Sequence, residues 1–123
     1  MDGIIKSYVE TSAGQVHYRM TPKGKGSLPL VLLHQTRSSS AMFEPLMAEL
    51  ASEFWLLAPD TPGFGETFAP PTQPSISYYA QVLYESLRAM GISECWLFGY
   101  HTGASIAVQM QYDHPSFARK LAL

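Results

Sequence analysis

The chain has 123 residues, 8 basic and 10 acidic, for a formal net charge of −2, and 46% of its residues are hydrophobic. Those figures fit one near-neutral globular domain and exclude intrinsic disorder. With no stripe of Lys and Arg there is no electrostatic footprint for nucleic acid, and a single cysteine, Cys95, leaves no intrachain disulfide and no multi-cysteine metal site.

The opening Met1-Asp2-Gly3 has no basic n-region, and no apolar run approaches the roughly 18 residues that span a bilayer, so no membrane association and a cytoplasmic location are expected. Residues 4–10 and 15–20 read as two strands joined by a turn at Gly14, an antiparallel hairpin. The second alternates strictly: Val16, Tyr18 and Met20 are expected in the core, and Gln15, His17 and Arg19 in water. Residues 21–27 form a connector whose Gly24-Lys25-Gly26-Ser27 lacks the upstream glycine spacing of a phosphate-cradling loop.

From Leu28 the pattern changes. Leu30-Val31-Leu32-Leu33, Phe54-Trp55-Leu56-Leu57-Ala58 and Cys95-Trp96-Leu97-Phe98 are short unbroken apolar runs, as expected of strands covered on both faces. Helical patterns separate them: Leu46, Met47, Leu50 and Ala51, with Pro45 in the first turn; then Tyr79, Val82, Leu83, Leu87 and Met90, ended by Gly91. A third helix is expected over residues 102–112, with Ala104, Ala107, Val108 and Gln111 on one side, stopping before Pro115. Strand and helix alternate as in a parallel α/β sheet. The loop over residues 61–75 holds Pro62, Pro70, Pro71 and Pro74 with Gly63 and Gly65, at a strand end where such proteins place function. Residues 117–123 read as the opening of one more buried strand. On that reading residues 1–123 are a partial domain, and its incomplete sheet edge would be hidden in a homo-oligomer.

Leu97-Phe98-Gly99-Tyr100-His101-Thr102-Gly103-Ala104 is the most informative segment. It joins a buried strand to a helix, and glycines two residues to either side of His101 let the chain turn sharply, as in a G-x-Nu-x-G nucleophile elbow. Leu32-Leu33-His34-Gln35-Thr36 is similar to an L-L-H-G-x oxyanion motif, and Asp60-Thr61-Pro62-Gly63-Phe64-Gly65 to a D-x-P-G-x-G loop. With three such motifs in order, nearly all of the chain resembles the N-terminal half of an α/β-hydrolase.

The resemblance implies a hydrolase of a small carbonyl or ester-type substrate; no cofactor and no metal are expected, because Gly63-Phe64-Gly65 lacks the third glycine of a dinucleotide fingerprint and the four histidines offer no metal-ligand spacing. It places His101 at the nucleophile position and the amides of Thr36 and Thr102 as oxyanion donors. It also places the triad acid and base histidine after later strands than these 123 residues hold. Two residues depart from the family pattern: Gln35 stands in place of Gly, and His101 in place of Ser, Asp or Cys. An imidazole forms no acyl-serine ester, but it can attack a carbonyl or act as a base on water. The other reading is a truncated or degenerate, non-catalytic fold acting as a binding module.

The remaining candidates carry structural expectations. Asp60 holds the Pro-Gly loop, His34 anchors the oxyanion loop, His114 closes a helix against its dipole, and Cys95 is an inert core thiol. Ser38-Ser39-Ser40 starts a helix.

Overall fold

The computed structural model describes residues 3–23 and 28–123; Met1, Asp2 and residues 24–27 of the connector, for which the sequence suggests no leader and no phosphate-cradling loop, lie outside these. Strands β1 (Ile5–Glu10) and β2 (Gln15–Met20) form the expected antiparallel hairpin. Its turn is closed by a Thr11 to Gly14 backbone hydrogen bond of 2.9 Å. Strand β3 (Leu30–Leu33) is followed by a 3-10 turn (Ser40–Phe43) and helix α1 (Glu44–Leu50), with Pro45 in its first turn. Then come β4 (Leu56–Pro59), α2 (Ile76–Ala89), β5 (Cys95–Gly99), α3 (Thr102–Asp113) and β6 (Ala118–Ala122).

The six strands make one sheet in the order β1-β2-β4-β3-β5-β6. β2 meets β4 antiparallel, and β3 pairs in parallel with both β4 and β5. Each parallel strand is only four or five residues long, and its side chains alternate between two apolar layers. Val31, Leu33, Leu57 and Leu97 pack against Leu83, Leu87, Ile106 and Met110 of α2 and α3. On the opposite face Leu32, Leu56 and Ala58 pack against Phe43 and Met47. The chain therefore leaves β3 toward one face and β5 toward the other. That divergence makes the carboxyl ends of the adjacent strands β3 and β5 a topological switch point, where α/β sheets bind ligands.

Three expectations are corrected. His17 is buried, 5% exposed, although strand alternation sends it to water. The loop after β4 folds back over that face, and its Asp60 takes the imidazole at 2.8 Å. In α3 the buried residues are Gly103, Ile106, Ala107 and Met110, while Val108 is 47% exposed. The helix is turned by the need to bring Gly103 onto β3, since a Cβ there would overlap the Leu33 carbonyl. β6 forms as expected and pairs with β5, but Arg119 to Ala122 are exposed. Among the described residues it lies at the sheet edge.

Cys95 is fully buried in β5, and burial pushes its thiol up to about 12. A thiol-reactive chromogenic disulfide is therefore expected to leave the native chain unlabelled and to titrate one thiol per chain only after unfolding in denaturant.

Candidate active site

β5 hands over to α3 through Tyr100 and His101. His101 has φ 55° and ψ −115°, a conformation that an L residue holds at a cost of about 1–3 kcal/mol only when its surroundings impose it. The surroundings here are two close approaches. A Cβ on Gly99 would lie 2.6 Å from the Ala104 Cα and overlap the Gly103 carbonyl, and one on Gly103 would overlap the Leu33 carbonyl. Hydrogen bonds from the Gly103 amide to the Tyr100 carbonyl, 2.9 Å, and from the Ala104 amide to the His101 carbonyl, 2.8 Å, close the turn. The imidazole is left exposed at the top of the sheet, its edge against the Tyr100 ring with centroids 4.3 Å apart.

The facing arm leaves β3 at His34, which is 1% exposed. Its Nε2 accepts the Thr61 amide at 3.0 Å, so its proton sits on Nδ1, which donates to the Gln35 carbonyl at 2.7 Å. Burial lowers the His34 pKa below its ordinary 6.5, against the opposing pull of the Gln35 carbonyl and Asp60, so the ring is neutral at pH 7. Anchoring the Gln35 carbonyl also orients the amide beyond it, because a trans peptide points its N–H opposite its C=O. That amide belongs to Thr36, and it is directed at α3, with its nitrogen 3.3 Å from Thr102 Oγ1. The two threonine hydroxyls are 3.1 Å apart.

Asp60 ties the loop after β4 to both neighbours. Its Oδ1 accepts the Ser40 amide at 2.7 Å; its Oδ2 accepts the Glu66 amide at 3.0 Å and lies 2.8 Å from His17 Nδ1. Burial alone would raise its pKa, but the donors from Ser40, Glu66 and His17 outweigh that and hold it below the ordinary 3.8. Gly65 lies so close that any Cβ would overlap the carboxylate. The carboxylate is thus consumed inside the loop and holds it, as the sequence reading has it.

Of the residues singled out from sequence, the fold brings Thr36 and Thr102 together beside His101. Cys95 stays in the core. His114 caps α3 and stacks flat on Tyr84, centroids 3.5 Å apart, with its Nε2 buried and unpartnered. Ser39 Oγ caps the 3-10 turn by accepting the Ala41 amide at 3.1 Å. The described residues hold no cluster of three or more metal-ligating side chains, and none of their helices is long and apolar enough to cross a membrane. Sequence reasoning missed His17 as Asp60's partner, since the contact depends on β2 lying beside β4 across 43 residues. It also missed the Thr102 hydroxyl, for which the chain carries no local signal.

The family model described as alpha/beta hydrolase fold matches residues 29–123. A 2-(acetamidomethylene)succinate hydrolase of Mesorhizobium japonicum is 30% identical over 108 residues, covering 88% of this chain and 38% of that protein. An uncharacterized protein of Mycobacterium tuberculosis is 30% identical over 107 residues, or 86% of this chain and 31% of its own length. Among solved structures, the N-acyl homoserine lactonase AidH complexed with N-butanoyl homoserine superposes with a TM-score of 0.86 at 31% identity, covering 96% of this chain and 43% of that one. The chain spans about a third of the length of the curated relatives it matches.

Proposed function

Since the chain belongs to the α/β-hydrolase fold family, we propose that its elbow serves the hydrolysis of a small ester or related carbonyl compound, with His101 in the nucleophile's place. The observation that carries this reading is the backbone of His101, φ 55° and ψ −115°, set between two glycines that tolerate no Cβ. A strained turn that lifts one exposed side chain beside converging amides is retained where that side chain meets a ligand.

The chemistry follows from the geometry. A nitrogen of the neutral imidazole attacks the carbonyl carbon, and the displaced electron pair settles on the carbonyl oxygen. That oxygen is met by the Thr36 amide and by the Thr102 amide, one of the helix-initial donors left without an intrahelical partner. The carbon–oxygen bond to the leaving group breaks, and the alkoxide departs with the N–H proton of the acylated ring, which leaves a neutral acyl-imidazole. Water then adds to the acyl-imidazole, releasing the carboxylic acid and restoring the ring, so ester and water become acid and alcohol.

The test is p-nitrophenyl acetate turnover by the 123-residue chain and by any longer polypeptide that contains it. His101→Ala is expected to lower kcat by about 10²-fold, the lower end of what a positioned imidazole contributes, with circular dichroism confirming the fold. A burst of nitrophenolate before steady state assigns attack by the ring itself. Equal rates in both proteins would remove His101 from the mechanism.

One observation favours the second reading, a fold that binds without catalysis: the imidazole of His101 offers no hydroxyl, thiol or carboxylate at the turn where the family pattern has Ser, Cys or Asp. Multiple turnover would defeat that reading.

A further inference from the structure

The two arms of the site already touch. Thr102 Oγ1 lies 3.3 Å from the Thr36 amide nitrogen, which donates to it, and 3.1 Å from the Thr36 hydroxyl. The acceptor of that amide is therefore a side-chain hydroxyl of the same residue whose backbone amide forms the opposite wall of the hole. Its oxygen lies where a substrate's carbonyl oxygen has to come to meet the Thr36 donor.

We infer that the Thr102 hydroxyl plugs the oxyanion hole and that a substrate oxygen must displace it, which makes this side chain a determinant of substrate affinity. The inference rests on the hydrolytic reading of the site. The plug is held by a bond slightly longer than the usual N–H···O range, so it exchanges readily. A neutral carbonyl that displaces it trades one neutral acceptor for another and gains little. The charged oxygen of the tetrahedral intermediate gains roughly twice as strong a bond as either. Ground-state binding is kept weak while the charge that develops during reaction is still fully met. The hydroxyl thus imposes the same toll on both states, which appears in KM and not in the chemical step.

Thr102→Val keeps the shape and removes the acceptor. With p-nitrophenyl acetate, kcat/KM is expected to rise about three- to tenfold, the worth of one neutral hydrogen bond, with the gain in KM. Thr102→Ser, which restores a hydroxyl, is expected to bring kcat/KM back to the wild-type value. Should valine crowd the turn, Thr102→Ala makes the same deletion. A fall in kcat on removing the hydroxyl would overturn the inference, because it would make the hydroxyl a donor to the oxyanion. An unchanged KM would also overturn it, because the contact would then be only a tie between β3 and α3.

Calorimetric binding of butylphosphonate reads the plug without chemistry. Its affinity is expected to tighten about three- to tenfold in Thr102→Val by the same exchange of one hydrogen bond. A chain that hydrolyses no ester would sink the proposed function and leave this second measurement intact. Affinity that stays unchanged or weakens, or no phosphonate binding by either protein, would sink the plug.

Discussion

Asp60→Ala is expected to cost the fold about 3–5 kcal/mol, the usual penalty for removing one partner from a buried charged network. That is a large share of the 5–15 kcal/mol by which domains are ordinarily stable. The carboxylate is wholly buried and satisfies the amides of Ser40 and Glu66 together with His17 Nδ1. Deleting it strands two backbone donors and an imidazole. Gly65, which comes close enough to exclude any side chain, then faces a void.

Urea denaturation at pH 7 measures the loss, and the pH dependence identifies its source. The folded Asp60 is held below its ordinary pKa of 3.8, so its contribution is complete above that value and is lost as pH falls through the lower, folded one. His34 is also lowered, from 6.5, by burial first. Its neutral ring likewise stabilises the fold above 6.5 and stops doing so as the pH drops toward its folded value. The wild-type chain should therefore weaken in two steps on acidification. In Asp60→Ala the lower step should be missing while the step that begins below 6.5 stays.

Gly103→Ala is the second large effect, expected at about 3 kcal/mol, the upper end of overpacking penalties. Its methyl group would overlap the Leu33 carbonyl and come within 3.0 Å of the His34 carbonyl, both backbone atoms that cannot rotate away. The remedy open to the molecule is to lift α3 off β3, and that parts Thr102 from Thr36. Stability and ester turnover should then fall together. Gly91→Ala is the matching control: Gly91 has φ 87° but no atom within 4 Å of an added Cβ. It should cost only about 1–2 kcal/mol of backbone strain and leave turnover alone. If Gly103→Ala proves as mild as Gly91→Ala in urea, the close packing at the elbow is not what holds the turn.

Much of this arrangement was legible along the chain, and for physical reasons. Leu30 to Leu33 and Cys95 to Gly99 announce strands because both faces of a central parallel strand are dry. The second helix is ended by Gly91 at positive φ, a local signal. The sharp turn at His101 was legible for the same reason, since Gly99 and Gly103 are needed wherever the chain turns this tightly. The misreadings lie where a distant segment decides. His17 looked like a solvent-facing residue because alternation describes one strand and not the loop laid over it. Val108 looked like part of a buried face because spacing alone leaves open which side of α3 meets the sheet, and the contact of Gly103 with Leu33 settles that.

The order of the elements, the site of the sharp turn and the residue at its apex are set locally, because each depends on near neighbours: hydrophobic period, capping and the absence of a Cβ. Long-range packing alone makes His17 complete Asp60, aims the Thr36 amide through His34 and brings the Thr102 hydroxyl between the two arms. These contacts join residues 27 to 66 positions apart. Their partners are chosen by how the strands and helices pack, and packing has no counterpart in any local stretch of chain.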